Sequence, residues 1–348
     1  MSLARINLLN IGLMLASLAV AMVVPFETFL LAYAVLGPLH YLTQISWLHD
    51  RQCFTQNKRD WWPLLGLAAA ISALTLTAIA YPTPALVGWA HSLLLFSFGV
   101  GFTLALIKDN VLRGTALAAF AVVAFLMHGS PVTTIWFGIY LPTVIHVFVF
   151  TGAFVLYGAL KQRSLTAHSS LLVFVACGAT ALFLDPGMLG YVATDYAHEA
   201  YAEFTPMHGF LAADLGFADA IASRTGAQPE AAQFYPFQDA SEVFTDPLGV
   251  QIGRFIGFAY TYHYLNWFSK TSIIGWHEVG KARIAAIVVL WLASIGLYAL
   301  DYVTGLRWLL FLSLLHVLLE FPLNHRTFAG IGSELLARVR PAKAANAG

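Results

Sequence analysis

Ten stretches of about twenty residues run through this chain with scarcely a charge in them, and no other feature limits its fold so severely. A helix needs about 20 mostly apolar residues to cross the roughly 30 Å hydrocarbon layer of a bilayer. That template fits at 6–24, 28–48, 61–81, 85–107, 112–128, 132–158, 169–188, 250–268, 283–301 and 306–322. Pro25, Pro82, Pro84 and Pro131 fall in the short connections, where a fixed φ and a missing N–H suit a turn. With 10% of 348 residues charged and 59% apolar, the chain lacks the polar surface that a water-borne domain needs, for which about 25% charge is usual. The expected fold is all-α: a polytopic transmembrane helical bundle forming a single membrane domain over residues 1–348. A nucleic-acid binder, a secreted disulfide scaffold and a soluble dinucleotide enzyme are excluded. Cys53 and Cys177 are too few and too differently placed for a disulfide framework.

The charges that remain are sorted. Arg5, Arg51, Lys58, Arg59, Lys108, Arg113, Lys161, Arg163, Lys270, Lys281, Arg283, Arg326, Arg338, Arg340 and Lys343 fall on one side of a ten-span path. That is 15 of the 18 basic residues, against Arg224, Arg254 and Arg307 opposite. Basic loops stay in the cytoplasm, so both termini are expected there, in a bacterial inner membrane. The first span resembles a secretory signal in its Arg5 and its Ala19-Val20-Ala21. Its apolar run exceeds the usual 7–15 residues, which predicts a retained helix. The long loop at 189–249 is acidic and extracytoplasmic in this scheme. Leu211, Leu215, Ala218 and Ala222 recur at helical spacing within it, predicting an amphipathic helix over 209–223. Arg254, early in the eighth span, is expected to snorkel outward or to meet an anionic headgroup.

Four of the twelve histidines carry the functional signal. The second, sixth, eighth and tenth spans run in the same direction. At 1.5 Å per residue, His40, His146, His263 and His316 lie at about 15 to 21 Å depth. Glu320 shares a helical face with His316, four residues earlier. His49, His277 and His325 close the second, eighth and tenth spans and extend the layer. His40 and His49 fall on opposite faces of a regular helix, as do His316 and His325 unless Pro322 breaks the helix between them. A single intramembrane histidine needs nothing more than an interhelical hydrogen bond, whereas four at one depth point to a shared task. Imidazoles with a carboxylate suit non-haem iron, one ion or two. Imidazole also suits zinc or copper, and histidines on two spans suit haem. The candidate metal ligands are therefore His40, His49, His146, His263, His277, His316, Glu320 and His325. Gln44 and Asn266, one turn beyond His40 and His263, are candidates to orient the rings.

Residues 37–50, Gly-Pro-Leu-His-Tyr-Leu-Thr-Gln-Ile-Ser-Trp-Leu-His-Asp, and 260–277, ending Ser-Lys-Thr-Ser-Ile-Ile-Gly-Trp-His, resemble segments of histidine-rich bacterial membrane proteins, some of them membrane-bound beta-carotene dioxygenases. The resemblance implies iron-dependent oxygenation of a lipophilic polyene. The paired His-x-x-His-His clusters of membrane desaturases are missing from this sequence. The expected activity is that of a membrane metalloenzyme, a non-haem iron oxygenase acting on a lipophilic substrate. The other function classes are a haem-binding electron carrier and a proton-coupled transporter that uses the midplane histidines as a relay.

Overall fold

The structure, a computed structural model, describes residues 2–185, 187, 190–226, 236–237 and 239–339. Arg340, Lys343 and parts of the 189–249 loop lie outside the described residues. Fourteen helices carry the fold, with no strand among the described residues. In chain order they are α1 (Leu3–Val23), α2 (25–50), α3 (Trp61–Ala80), α4 (Pro84–Leu106), α5 (Asn110–Leu126), α6 (Thr133–Gln162) and α7 (Leu165–Phe183). There follow α8 (Asp195–Ala200), α9 (Thr205–Asp214), α10 (Ala218–Thr225), α11 (Pro247–Ser269), α12 (Thr271–Ile274), α13 (Lys281–Leu300) and α14 (Tyr302–Val339). Polar side chains set several starts: Ser2, Asp109, Ser164, Thr194 and Asp246 each accept a backbone N–H of the helix they cap.

Among the described residues, seven helices, α1, α3, α4, α6, α7, α13 and α14, are long and apolar enough to cross a membrane. Their outward faces carry exposed large hydrophobes such as Leu172, Val175, Val289 and Leu292, as expected where lipid replaces water. The other three expected spans are also helical. Of these, α5 is short, α2 is interrupted by wide turns, and α11 carries the most polar sequence of the ten. Yet α11 is buried along nearly its whole length, packed against α1, α2, α6 and α7. A helix walled off from lipid can carry Gln251, Arg254, His263 and Asn266. Arg254 does not snorkel: it is fully buried, and its guanidinium nitrogens find no hydrogen-bond partner among the described residues.

One end of the bundle gathers the basic loops. Arg283 pairs with Asp50 at 2.6 Å, Arg163 with Glu334 at 3.6 Å, and Arg113 with Asp60. The other end is capped by α8, α9 and α10. Glu27 there accepts from the Tyr191 hydroxyl and from Thr194, and Asp214 accepts from the Tyr140 hydroxyl at 2.6 Å. The helix expected over 209–223 is two helices, because Gly216 takes a φ of 77° between them. Met207, His208, Leu211 and Ala212 turn down into the bundle, while Leu215 stays exposed.

Two regions depart from ordinary α geometry. Residues Ala32–Leu36 of α2 and Thr133–Phe150 of α6 form π-helix, the latter around Pro142. Proline removes a hydrogen bond and crowds the carbonyl four residues back, and a wider turn relieves both. His40 follows the first wide segment and His146 lies inside the second. In contrast, α14 runs on through Pro322 to Val339 without a break. Packing against α2, α3, α4, α6 and α13 keeps its two halves in one helix.

Candidate metal centre

Four helices each deliver one imidazole to the middle of the bundle: His40 from α2, His146 from α6, His263 from α11 and His316 from α14. All four are buried. The Nε2 atoms of His40 and His263 are 3.2 Å apart, as are those of His146 and His316. Ring centroids lie 4.8 Å apart for His146 and His263 and 5.5 Å apart for His40 and His316, closing a four-membered ring of imidazoles. His40, His146 and His263 offer nitrogens that all lie within 4.8 Å of one another, and His316 joins through His146.

Two nitrogen lone pairs cannot face each other at 3.2 Å without something between them. Either a proton bridges each pair or a cation is shared. Nitrogens bound at about 2.1 Å to one ion in tetrahedral array stand about 3.4 Å apart, so each close pair has the spacing of two ligands on one ion. The three imidazoles whose nitrogens lie within 4.8 Å of one another, His40, His146 and His263, therefore fit a metal, with His316 beside them. A lone interhelical hydrogen bond contributes only about 0.6 kcal/mol in a membrane bundle, which is weak reason to bury four such rings together.

The surroundings fix the rings. Thr151 Oγ1, on α6, lies 2.8 Å from Nδ1 of His263. With the proton held on Nδ1, Nε2 of that ring is left with its lone pair toward the centre. Trp267 donates its indole N–H to Thr43 Oγ1 at 3.0 Å, and the Trp267 ring stands edge-on to His40 at 5.5 Å. Tyr41 stacks obliquely on His316 at 5.7 Å. Nδ1 of His146 finds no hydrogen-bond partner among the described residues.

Glu320 and Gln44 meet beside this ring, the Gln44 amide donating to the Glu320 carboxylate. Glu320 is thus engaged by an amide in the wall next to His40. His49, His277 and His325 stand apart from the four. His49 is exposed beside Asp50 and Trp61, because α2 continues unbroken to Asp50 and turns it away from His40. His277 follows Trp276 in the 275–280 connection. His325 Nε2 donates to the Phe98 carbonyl at 3.0 Å, with its ring between Phe98 and Phe102. The break at Pro322 that would have brought His325 toward His316 is not made.

Cavities open on both sides of the imidazole ring. Toward the basic end lies one of about 270 Å³, walled by His40, Gln44, His263, Trp267, Lys270 and Glu320. Its floor is held by Trp47, whose indole N–H donates to the Ile274 carbonyl at 2.9 Å. Toward the capped end lies one of about 210 Å³, walled by Tyr33, Phe204, Tyr260 and Tyr264 together with His146 and His316. The histidines form the partition between the two. No motif in the sequence marks Thr151 or Lys270. The depth count that finds His146 puts Thr151, five residues on, about 7.5 Å deeper, and nothing in the spacing marks Lys270.

No family model matches the chain, and neither a curated protein nor a solved structure matches it.

Proposed function

We propose that this protein is a membrane-embedded metalloenzyme that holds non-haem iron on His40, His146, His263 and His316 and oxygenates a lipophilic substrate. The observation that carries the reading is the gathering of four buried imidazoles between two largely apolar cavities. Four neutral nitrogen ligands suit iron, copper or zinc by donor type. Iron is preferred because residues 37–50 and 260–277, which supply His40 and His263, resemble membrane-bound dioxygenase segments. When bound, iron supplies the activation of oxygen that an apolar substrate otherwise resists.

The chain's own residues do the rest. Thr151 holds a proton on His263 Nδ1 and so presents Nε2 to the ion. The two cavities take an extended apolar molecule with its middle at the histidine partition. The surrounding helices exclude bulk water, which limits the escape of reactive species. Glu320 and Gln44 line the substrate side as a buried polar pair. For the chain as a whole we infer ten crossings with both termini in the cytoplasm of a bacterial inner membrane. The basic loops collect at one end, and α2, α5 and α11 occupy the remaining three expected spans.

The test is elemental analysis and an optical spectrum of protein extracted gently from its native membrane, with oxygen uptake measured on a conjugated lipophilic polyene. Stoichiometric iron, no Soret band and polyene-dependent uptake are expected. Absence of stoichiometric metal, with activity or phenotype intact in His40→Ala and His316→Ala, overturns the proposal. A Soret band makes the protein a haem carrier instead, and solute flux in liposomes without redox chemistry makes it a transporter.

A further inference from the structure

One nucleophile faces the substrate cavity and is not used by the metal reading. Lys270 directly follows α11, seven residues after His263. Seven helical residues rise about 10.5 Å and turn about 700°, so the two side chains leave α11 within about 20° of one another. Asn266 and Trp267 lie between them, and all four residues wall the cavity at the basic end. Lys270 also borders a smaller pocket of about 100 Å³ lined by Asn7, Asn10, Gln162 and Asn266. These neighbours are neutral hydrogen-bonding groups. The Lys270 amine makes no ion pair or hydrogen bond with any described residue, and the carboxylate of the shared cavity, Glu320, is occupied by Gln44.

We propose that Lys270 captures carbonyl compounds: its amine condenses with an aldehyde seated in the cavity below the histidines. The inference rests on the oxygenase reading for the source of that aldehyde. Addition of both atoms of O₂ across one carbon–carbon double bond cleaves it into two carbonyl ends. At Lys270 the nitrogen lone pair adds to the carbonyl carbon. The carbonyl oxygen then leaves as water with both amine hydrogens, and a C=N bond remains. Hydrolysis reverses the step, and neither direction needs an oxidant or a reductant. The small polar pocket gives the leaving water hydrogen-bonding partners next to the reacting nitrogen.

Burial pushes the Lys270 ammonium down to about 8. A lysine of that kind is the usual imine-forming type, since only the uncharged amine attacks. At pH 8 about half of it is uncharged, against under about 1% of an ordinary lysine. Lys58, Lys108, Lys161 and Lys281 are exposed and serve as internal controls.

The test uses the full-length protein in lipid nanodiscs, stripped of metal with a chelator, and a ready-made long-chain conjugated aldehyde as probe. Cyanoborohydride traps any imine, and peptide mass spectrometry locates it. Alkylation at Lys270 is expected to exceed that at each exposed lysine by at least about tenfold at pH 8, following the ratio of uncharged amine. Lys270→Arg should abolish that adduct and leave the others unchanged. An alcohol of the same chain length should block labelling of the unmutated protein, which covers the case in which the variant fails to fold. Labelling spread evenly over the lysines, or no adduct at Lys270, overturns the proposal. Because the probe is supplied as aldehyde, neither metal nor oxygen is needed. Failure of the oxygenase reading shows instead as missing iron or missing oxygen uptake.

Discussion

Thr151 Oγ1 lies 2.8 Å from Nδ1 of His263, on the side of the ring opposite the nitrogen that faces His40. One hydroxyl therefore decides which way that imidazole presents its lone pair. Groups that orient a metal-bound imidazole typically contribute about 10- to 100-fold in metal affinity. Thr151→Val, which keeps the shape and removes the acceptor, is expected to weaken metal binding by about that factor. Thr151→Ser should retain it. Competitive titration with a chromophoric chelator measures both, and equal affinity in Val and wild type would remove Thr151 from the site.

The seven candidate histidine ligands divide into two sets by position. His40, His146, His263 and His316 share one buried ring, whereas His49, His277 and His325 have other surroundings. Alanine at any of the first four should cut bound metal to less than about half, because the remaining nitrogens can no longer complete the coordination sphere. Alanine at any of the second three should leave the metal content at the wild-type level. Elemental analysis of the seven purified variants decides this, and metal loss in His325→Ala would enlarge the site toward the basic end.

How much of this was legible follows from which quantities a sequence preserves. Depth was legible, since a helix rises by the same amount whatever its neighbours, and four parallel spans counted from one surface put His40, His146, His263 and His316 in one layer. Rotation was less so. The wide turns at 32–36 and 133–150 change the angle between successive residues, and nothing in the spacing announces them. Pro322 reads as a break, yet the packing around α14 overrides it, and this keeps His325 away. Glu320 follows His316 by one helical turn, which the spacing shows, but its partner Gln44 sits 276 residues away in sequence. The stripe at 209–223 followed helical spacing across Gly216, whose backbone turns left-handed.

Gly101 on α4 lets α14 approach closely enough to hold His316 and Glu320 in place. A Cβ built there would stand 2.6 Å from the Cβ of Phe321. The obstacle lies at the root of a side chain flanked by backbone, so it cannot swing aside. Overpacking of this kind costs about 1–3 kcal/mol. Gly101→Ala should therefore lower the thermal midpoint, whereas Gly12→Ala on α1, with nothing within 4 Å of the new methyl, should raise it slightly. Thermal unfolding in detergent, followed by tryptophan fluorescence, compares them. Equal midpoints would mean that α4 and α14 are not pressed together at this point.

The cap over the other end carries its own pH dependence at His208. Its Nε2–H donates to the Gly249 carbonyl at 2.7 Å, and its Nδ1 lies 3.2 Å from the Tyr201 hydroxyl, with Phe26 stacked on the ring. Both nitrogens are used by the neutral ring, and a second proton would displace the tyrosine's donation. Burial accordingly pushes His208 down to about 3, from an ordinary 6.5. An opened cap binds a proton at 6.5, while the closed cap resists it until about 3, so acid favours opening throughout that interval. The stabilisation is complete above pH 6.5 and declines toward pH 3 by up to about 1.4 kcal/mol per pH unit. Measured against the intrinsic amide rate at each pH, hydrogen exchange of the 190–226 segment should thus speed up between pH 7 and pH 5. In His208→Gln, which can still donate to Gly249 but does not titrate, that acceleration should vanish. An identical pH profile in the two proteins would assign the acid sensitivity of the cap to its carboxylates instead.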